Sequence, residues 1–294
     1  MVQTLIAPMI LQAVLTGGVY ALLAVGFSLI FGVARMLNLA HTAFFMLAAY
    51  GMYYFTYRAG LGPVPAMLVS LALTTGIGAA SYKLFIDRIR EHHVAVLLVT
   101  IALAMVFQEF MLLGFGAHFR ESPPLMSGVL QVLGVRITYQ QLLSIGIMLF
   151  VMVIVWLLLA RTKMGIAIRA TAQDAEIAGL MGITVPAILL VTMTIATALA
   201  AIAGAVIAPL WTTYPYMWMN PLVMVMVIVV LGGLGSIKGS IIGAFIIAVV
   251  ETLIVFLVPA GAFLKLAFSL LIMVIVLVIR PEGLYGVAFE EERL

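Results

Sequence analysis

The chain contains no cysteine. That excludes disulfides, thiolate chemistry and any cysteine-based metal site. Charge is also scarce, at 9% of residues, where soluble domains carry roughly 25%. No basic stretch followed by a small-residue cleavage site precedes the first apolar run, so that run reads as a retained helix and not a signal peptide. The apolar runs lack strict alternation over segments of about ten residues, which argues against a β-barrel. No H-E-x-x-H and no G-x-S-x-G occurs, and Glu91-His92-His93 has the wrong spacing for a zinc site. Gly232-Gly233-Leu234-Gly235-Ser236-Ile237-Lys238-Gly239-Ser240 is glycine-rich, but Lys238 precedes Gly239, so it is neither a P-loop nor G-x-G-x-x-G. An enzyme reading has nothing to stand on.

Apolar residues are abundant, at 66% of the chain, with a mean hydropathy of +1.30. A soluble fold cannot hide that much apolar surface, so lipid is the expected surround. The expected fold is an all-α integral membrane protein, a helical bundle of about 8–9 transmembrane helices, because helices satisfy their own backbone in lipid. With 294 residues and little loop, residues 1–294 form a single transmembrane domain. The net charge of +3 reflects loop bias across the membrane and no nucleic-acid partner.

Spans are expected at Leu5–Phe31, Met36–Tyr57, Val64–Tyr82, Val94–Phe115, Tyr139–Ala160, Ala187–Pro209, Leu222–Leu231, Ser240–Val258 and Leu266–Ile279. Ala117–Thr138 reads as a loop, and Trp211, Tyr214, Tyr216 and Trp218 as an interfacial aromatic belt. Between two apolar runs lies Arg161–Pro186, which keeps Arg161, Lys163, Arg169, Gln173, Asp174 and Glu176. A charged amphipathic insert of that length reads as a handle for a soluble partner. If it is cytoplasmic, Arg35, Lys83, Arg88, Arg90, Arg161, Lys163, Arg169, Lys238, Arg280 and Arg293 lie inside. Arg58, Arg120, Arg136 and Lys265 then lie outside, so the ten-to-four ratio favours this orientation. The N-terminus is then outside and the C-terminus cytoplasmic.

Polar residues inside the spans are the candidates for a pathway or for helix bracing. Asn38, His41 and Thr42 at i, i+3 and i+4 would share one helix face, and bracing is the favoured role. No partner ligands are spaced near His41, so it is not read as a metal ligand. Glu109 and Glu251 are carboxylates within spans, where a charge costs roughly 2.5–3.5 kcal/mol at the helix centre. A cavity-lining role, pairing with Gln108 or Lys265, or protonation would each accommodate them. Thr192, Thr194 and Thr197 are equally consistent with a path and with threonines bonded to their own helix. Gly235, Gly239 and Gly243 recur at i+4 and predict close helix packing around a tight turn.

Several stretches resemble LivH-type permeases of branched-chain (hydrophobic) amino acid ABC importers. They are Gly17–Gly51, Val96–Gly116, Val229–Glu251 and the RPEGLYG run Arg280–Gly286, in family order over most of the chain. Arg169–Ile183 is similar to the family's coupling loop, with Glu176, Ala178 and Gly182 as Glu-x-Ala-x-x-x-Gly; Ile177 departs from the EAA pattern, which has a second alanine there. The resemblance implies a multi-pass protein of the bacterial cytoplasmic (inner) membrane. It implies a homologous second permease subunit, two cytoplasmic ATPase subunits and an extracytoplasmic substrate-binding protein as partners. It places Arg169, Asp174, Glu176, Ala178 and Gly182 at the ATPase-coupling surface, where alanine and glycine keep the docking helix low in profile. No cofactor is expected in this chain, since ATP and Mg would sit on the partner subunits. Related permeases handle urea, short amides or aromatic acids, and an ion-coupled secondary transporter is the reading from another class.

Overall fold

The computed structural model describes residues 2–132 and 135–285. The helices are α1 (Val2–Ala34), α2 (His41–Tyr57), α3 (Pro63–Ser81), α4 (His93–Phe115), α5 (Tyr139–Arg161), α6 (Lys163–Gln173), α7 (Ala175–Leu180), α8 (Val185–Ile207), α9 (Met219–Gly232), α10 (Ile237–Leu257) and α11 (Gly261–Ile279). A short antiparallel hairpin joins β1 (Val129–Val132) to β2 (Val135–Thr138). The protein is an all-α integral membrane protein. Among the described residues, seven helices are long and apolar enough to cross a membrane: α1, α3 with its continuation to Ile86, α4, α5, α8, α10 and α11. The apolar α2 and α9 are shorter, at 17 and 14 residues. At ~1.5 Å per residue they cover about 25 and 21 Å, less than the ~30 Å hydrocarbon layer.

Contacts sort the connections into two ends. At one, Arg35 reaches α6, and residues 284–285 bond back to Leu231 and Gly232 at the end of α9. At the other, Arg120 pairs with Thr213 beside the hairpin. These are the α6–α7 end and the hairpin end.

Core position follows from side-chain size. In lipid no hydrophobic force draws helices together, so close approach of small residues does the work. α1 is the central helix and lies against α10, α8 and α9. A methyl group added at Gly17 would meet Phe245 and Ala248; one at Gly26 would meet His41 and the Ala196 carbonyl. Farther along the same seam, the Ser240 hydroxyl donates to Ser28 at 2.9 Å.

Two expectations need correction. The second span starts at His41 and not at Met36, because Arg35 takes φ +52° and residues 36–38 are irregular. Asn38 therefore precedes the helix and does not share a face with His41 and Thr42. The stretch 117–138 is not all loop: β-branched Val129, Val135, Ile137 and Thr138 let it close as a hairpin. The aromatic cluster divides, with Tyr216 standing exposed. Trp218 is buried, Trp211 packs edge-on against Phe45, and Tyr214 packs against Phe119. Non-helical backbone in a membrane protein is tolerated where protein covers it or where it lines a cavity. The segment between α8 and α9 does both.

Candidate functional site

The charged insert folds as two short helices broken at Asp174. Thr162 caps α6, its Oγ1 accepting from the Gly165 amide at 3.0 Å. Gly165 has no room for a side chain, since a methyl there would lie 2.3 Å from the Leu158 carbonyl oxygen. α6 buries Gly165, Ile168 and Thr171 and leaves Arg169 exposed. Asp174 ends α6 and starts α7, its Oδ1 accepting from the Ile177 amide at 2.9 Å. Gly182 then takes φ +88°, and the Ile183 amide bonds back to the Ala178 carbonyl at 3.0 Å. This six-to-one closure terminates the helix in a conformation glycine favours. Nothing lies within 4 Å of the Gly182 position, so its requirement is backbone angle and not space. Gly182→Ala is accordingly expected to cost only about 1 kcal/mol, read as a small fall in thermal midpoint with uptake retained.

The projecting surface of α7 differs from a low alanine profile. Ala178 faces inward and is buried. Ile177, Leu180 and Met181 project outward, the last two about four-fifths exposed. Arg169, Asp174 and Glu176, which precede this apolar tip in the insert, are exposed as well. An isolated trio of exposed apolar residues is unremarkable on a lipid face, but here it caps a polar insert at one end of the bundle. The insert's charge pattern locates the projection; the three residues that form its tip are apolar and carry no signal in a chain this hydrophobic.

The Arg35 guanidinium donates to the Ala172 carbonyl at 3.3 Å, tying the end of α6 to the break between α1 and α2. Within that break Asn38 Oδ1 accepts from the Ala40 amide at 3.0 Å, and the Asn38 carbonyl accepts from the His41 amide. The Leu39 amide donates to Thr100 of α4. His41 is fully buried, with Nε2 donating to the Leu23 carbonyl at 3.0 Å. His41 Nδ1 and Thr42 Oγ1 are buried without partners. Two of these bonds reach outside the segment, Leu39 to α4 and His41 to α1.

The glycines sit at the same end. Gly235 (φ +81°) lies against Gly32, and methyl groups at Gly239 and Gly243 would fall 1.9 Å from the Gly232 carbonyl and 2.9 Å from the Ile228 carbonyl. The α9–α10 turn is thus locked backbone to backbone.

Toward the hairpin end, Gln108 is buried and its Oε1 accepts from the Trp218 indole N–H at 2.9 Å. Glu109, next in sequence, is on the exposed face of α4 and accepts weakly from Gln108 at 3.4 Å. Thr194 returns its hydroxyl to the Leu190 carbonyl at 2.8 Å, as Thr192 and Thr197 do to Ile188 and Met193. Glu251 is buried between helices: Tyr20 donates to one carboxylate oxygen at 2.8 Å, and Lys265 donates to the other. Beside this network lies a cavity of about 220 Å³, bordered by Tyr20, Trp211, Tyr214, Met217, Asn220 and Lys265. Its polar and aromatic wall can hold a small polar solute. Trp218→Phe is expected to lower stability by about 1–3 kcal/mol, because Gln108 would keep an unpaired buried carbonyl. Thermal unfolding of the purified protein tests this, and Gln108→Leu added to Trp218→Phe is expected to recover part of the loss.

A family model described as "Branched-chain amino acid transport system / permease component" matches residues 9–277. The chain is 28% identical over 285 residues to the high-affinity branched-chain amino acid transport system permease protein BraD of Pseudomonas aeruginosa, covering 92% of each. It is 25% identical over 303 residues to the corresponding permease protein LivH of Escherichia coli K12, covering 94% of each. Among solved structures, PsaBC from Streptococcus pneumoniae in complex with Fab matches with a TM-score of 0.54 at 13% identity, over 93% of this chain and 92% of that one. That last likeness speaks to fold alone.

Proposed function

The chain belongs to the branched-chain amino acid transport system permease family, and from that premise we propose that it is the membrane subunit of a binding-protein-dependent ABC importer. Its cargo is a branched-chain or other hydrophobic amino acid. It works with a homologous second permease, two cytoplasmic ATPases and an extracytoplasmic binding protein. The observation that carries this reading is the α6–α7 projection, an exposed apolar tip of Ile177, Leu180 and Met181 on a charged insert at one end of a membrane bundle. A helix presenting an apolar stripe is a common way to fill a groove on a soluble partner.

Charge supports the orientation. Nine of the ten basic residues assigned to the inside are at the α6–α7 end; Arg293 lies outside the described residues, as does Gly286 of the RPEGLYG run. That end is cytoplasmic and the hairpin end external. The sequence has no recognisable nucleotide motif, so ATP and Mg belong to the partners. When the ATPases close on ATP, force on α7 passes through Asp174 to α6. From there the Arg35 bond and buried Ile168 carry it to α1 and the α1–α2 break. Transport is then alternating access with no covalent chemistry in this subunit.

The test is reconstitution. Co-purification with the ATPases and second permease, followed by leucine uptake into proteoliposomes containing the binding protein and ATP, is the expected result. Glu176→Lys is expected to leave insertion intact and separate ATP hydrolysis from uptake. Leucine movement by this chain on a proton or sodium gradient, with no ATPase present, would overturn the importer reading.

A further inference from the structure

Of the ion pairs among the described residues, Lys83–Asp87 and Arg90–Asp87 lie in the segment after α3, whereas Lys265–Glu251 joins two membrane helices. Replacing a buried ion pair with apolar residues is often neutral or stabilising, so packing alone gives no reason for these charges. Their arrangement is lopsided. The Glu251 side chain is 8% exposed and the Lys265 side chain 35%. Glu251 has both oxygens engaged, one by Tyr20 and one by Lys265. An ammonium has three donors. Among the described residues Lys265 spends one of them, on Glu251, and it borders the cavity. A cation held from behind, with donors to spare at the mouth of a small cavity, is an anion-reading group.

We propose that Lys265 reads the α-carboxylate of the amino acid as it enters at the hairpin end. This rests on the importer reading and its amino acid cargo. Glu251 is the positioning residue: itself held by Tyr20, it aims the ammonium, while the carboxylate of the cargo takes the free donors. Charge-assisted bonds of this kind are among the stronger polar contacts. The π faces of Trp211 and Tyr214 suit the cargo's ammonium, and Met217 suits its apolar side chain. At about 220 Å³ the cavity has room for a single small solute.

The experiment uses the complete importer in proteoliposomes with radiolabelled leucine. Lys265→Met is expected to cut the maximal uptake rate about tenfold or more. The KM for leucine-loaded binding protein is expected to stay unchanged, and co-purification of the ATPases and second permease with the variant reports an intact assembly. Lys265→Arg is expected to retain most uptake. The double variant Glu251→Gln, Lys265→Met is expected to stay as low as Lys265→Met. Normal uptake by Lys265→Met overturns the proposal. So does recovery in the double variant, which marks a purely structural pair, and so does a raised KM at unchanged maximal rate, which marks a docking contact. Failure of the wild-type importer to take up leucine overturns the cargo reading and this inference with it, and is told apart by needing no variant.

Discussion

Replacing Leu180 and Met181 together by glutamate is expected to abolish ATP-driven uptake while leaving the chain inserted and folded. Both side chains are about four-fifths exposed, so the folded chain loses no core contact when they change. In the proposed importer they would supply the bulk of the docking tip. Burying one such side chain contributes about 1.5–3 kcal/mol. Losing two, and adding charges that must be desolvated, weakens docking by at least two orders of magnitude, at about 1.4 kcal/mol per tenfold. Pull-down of the ATPases by the variant is the direct measurement. An ATPase that binds and is coupled as in wild type would remove α7 from the docking surface. Ile177→Ala is a milder companion, because the EAA pattern has alanine there.

Gly239→Val is the second large effect, and it acts on folding. The first side-chain carbon alone would sit 1.9 Å from the Gly232 carbonyl oxygen, and the obstacle is backbone, which cannot rotate away. Gly232 is equally blocked from the other side, with the Gly239 carbonyl carbon and oxygen 2.4 Å from its would-be methyl. α9 and α10 must separate, and Gly283 is wedged against Gly233 in the same cluster. Overpacking a tight core costs typically about 1–3 kcal/mol and more where backbone must move. The expected result is loss of monodisperse protein on extraction. A melting profile like that of wild type would show the seam to be looser than drawn.

Sequence made the α6–α7 projection legible because charge stands out against an apolar background. It made the α9–α10 lock legible because three glycines at i+4 have few other meanings in a membrane protein. Lys265 as a partner for Glu251 was one of several options, chosen only by the fold. The rest was hidden for identifiable reasons. α1 has a hydropathy of 2.1 and is 83% buried in its most apolar window; α11 has 2.9 and is 6% buried. Lipid and protein core are equally apolar, so hydropathy cannot tell a central helix from a peripheral one. The break after α1 carries neither glycine nor proline between Arg35 and Ala40, so nothing local announces it. The Trp218–Gln108 bond spans 110 residues, and an aromatic cluster near prolines reads the same whether it faces headgroups or a cavity.

The central position of α1 bears on biogenesis. Its chief neighbours, α8 and α10, begin about 150 and 200 residues later in the chain. At roughly 5–20 residues per second of synthesis, α1 waits on the order of 10–40 s before α10 exists. During that interval the glycine-lined groove meant for α10 faces lipid or an insertase. The ribosome thus delivers the keystone before the arch, and slowing elongation between α5 and α10 lengthens the interval in which a nascent chain can be caught by a membrane quality-control protease.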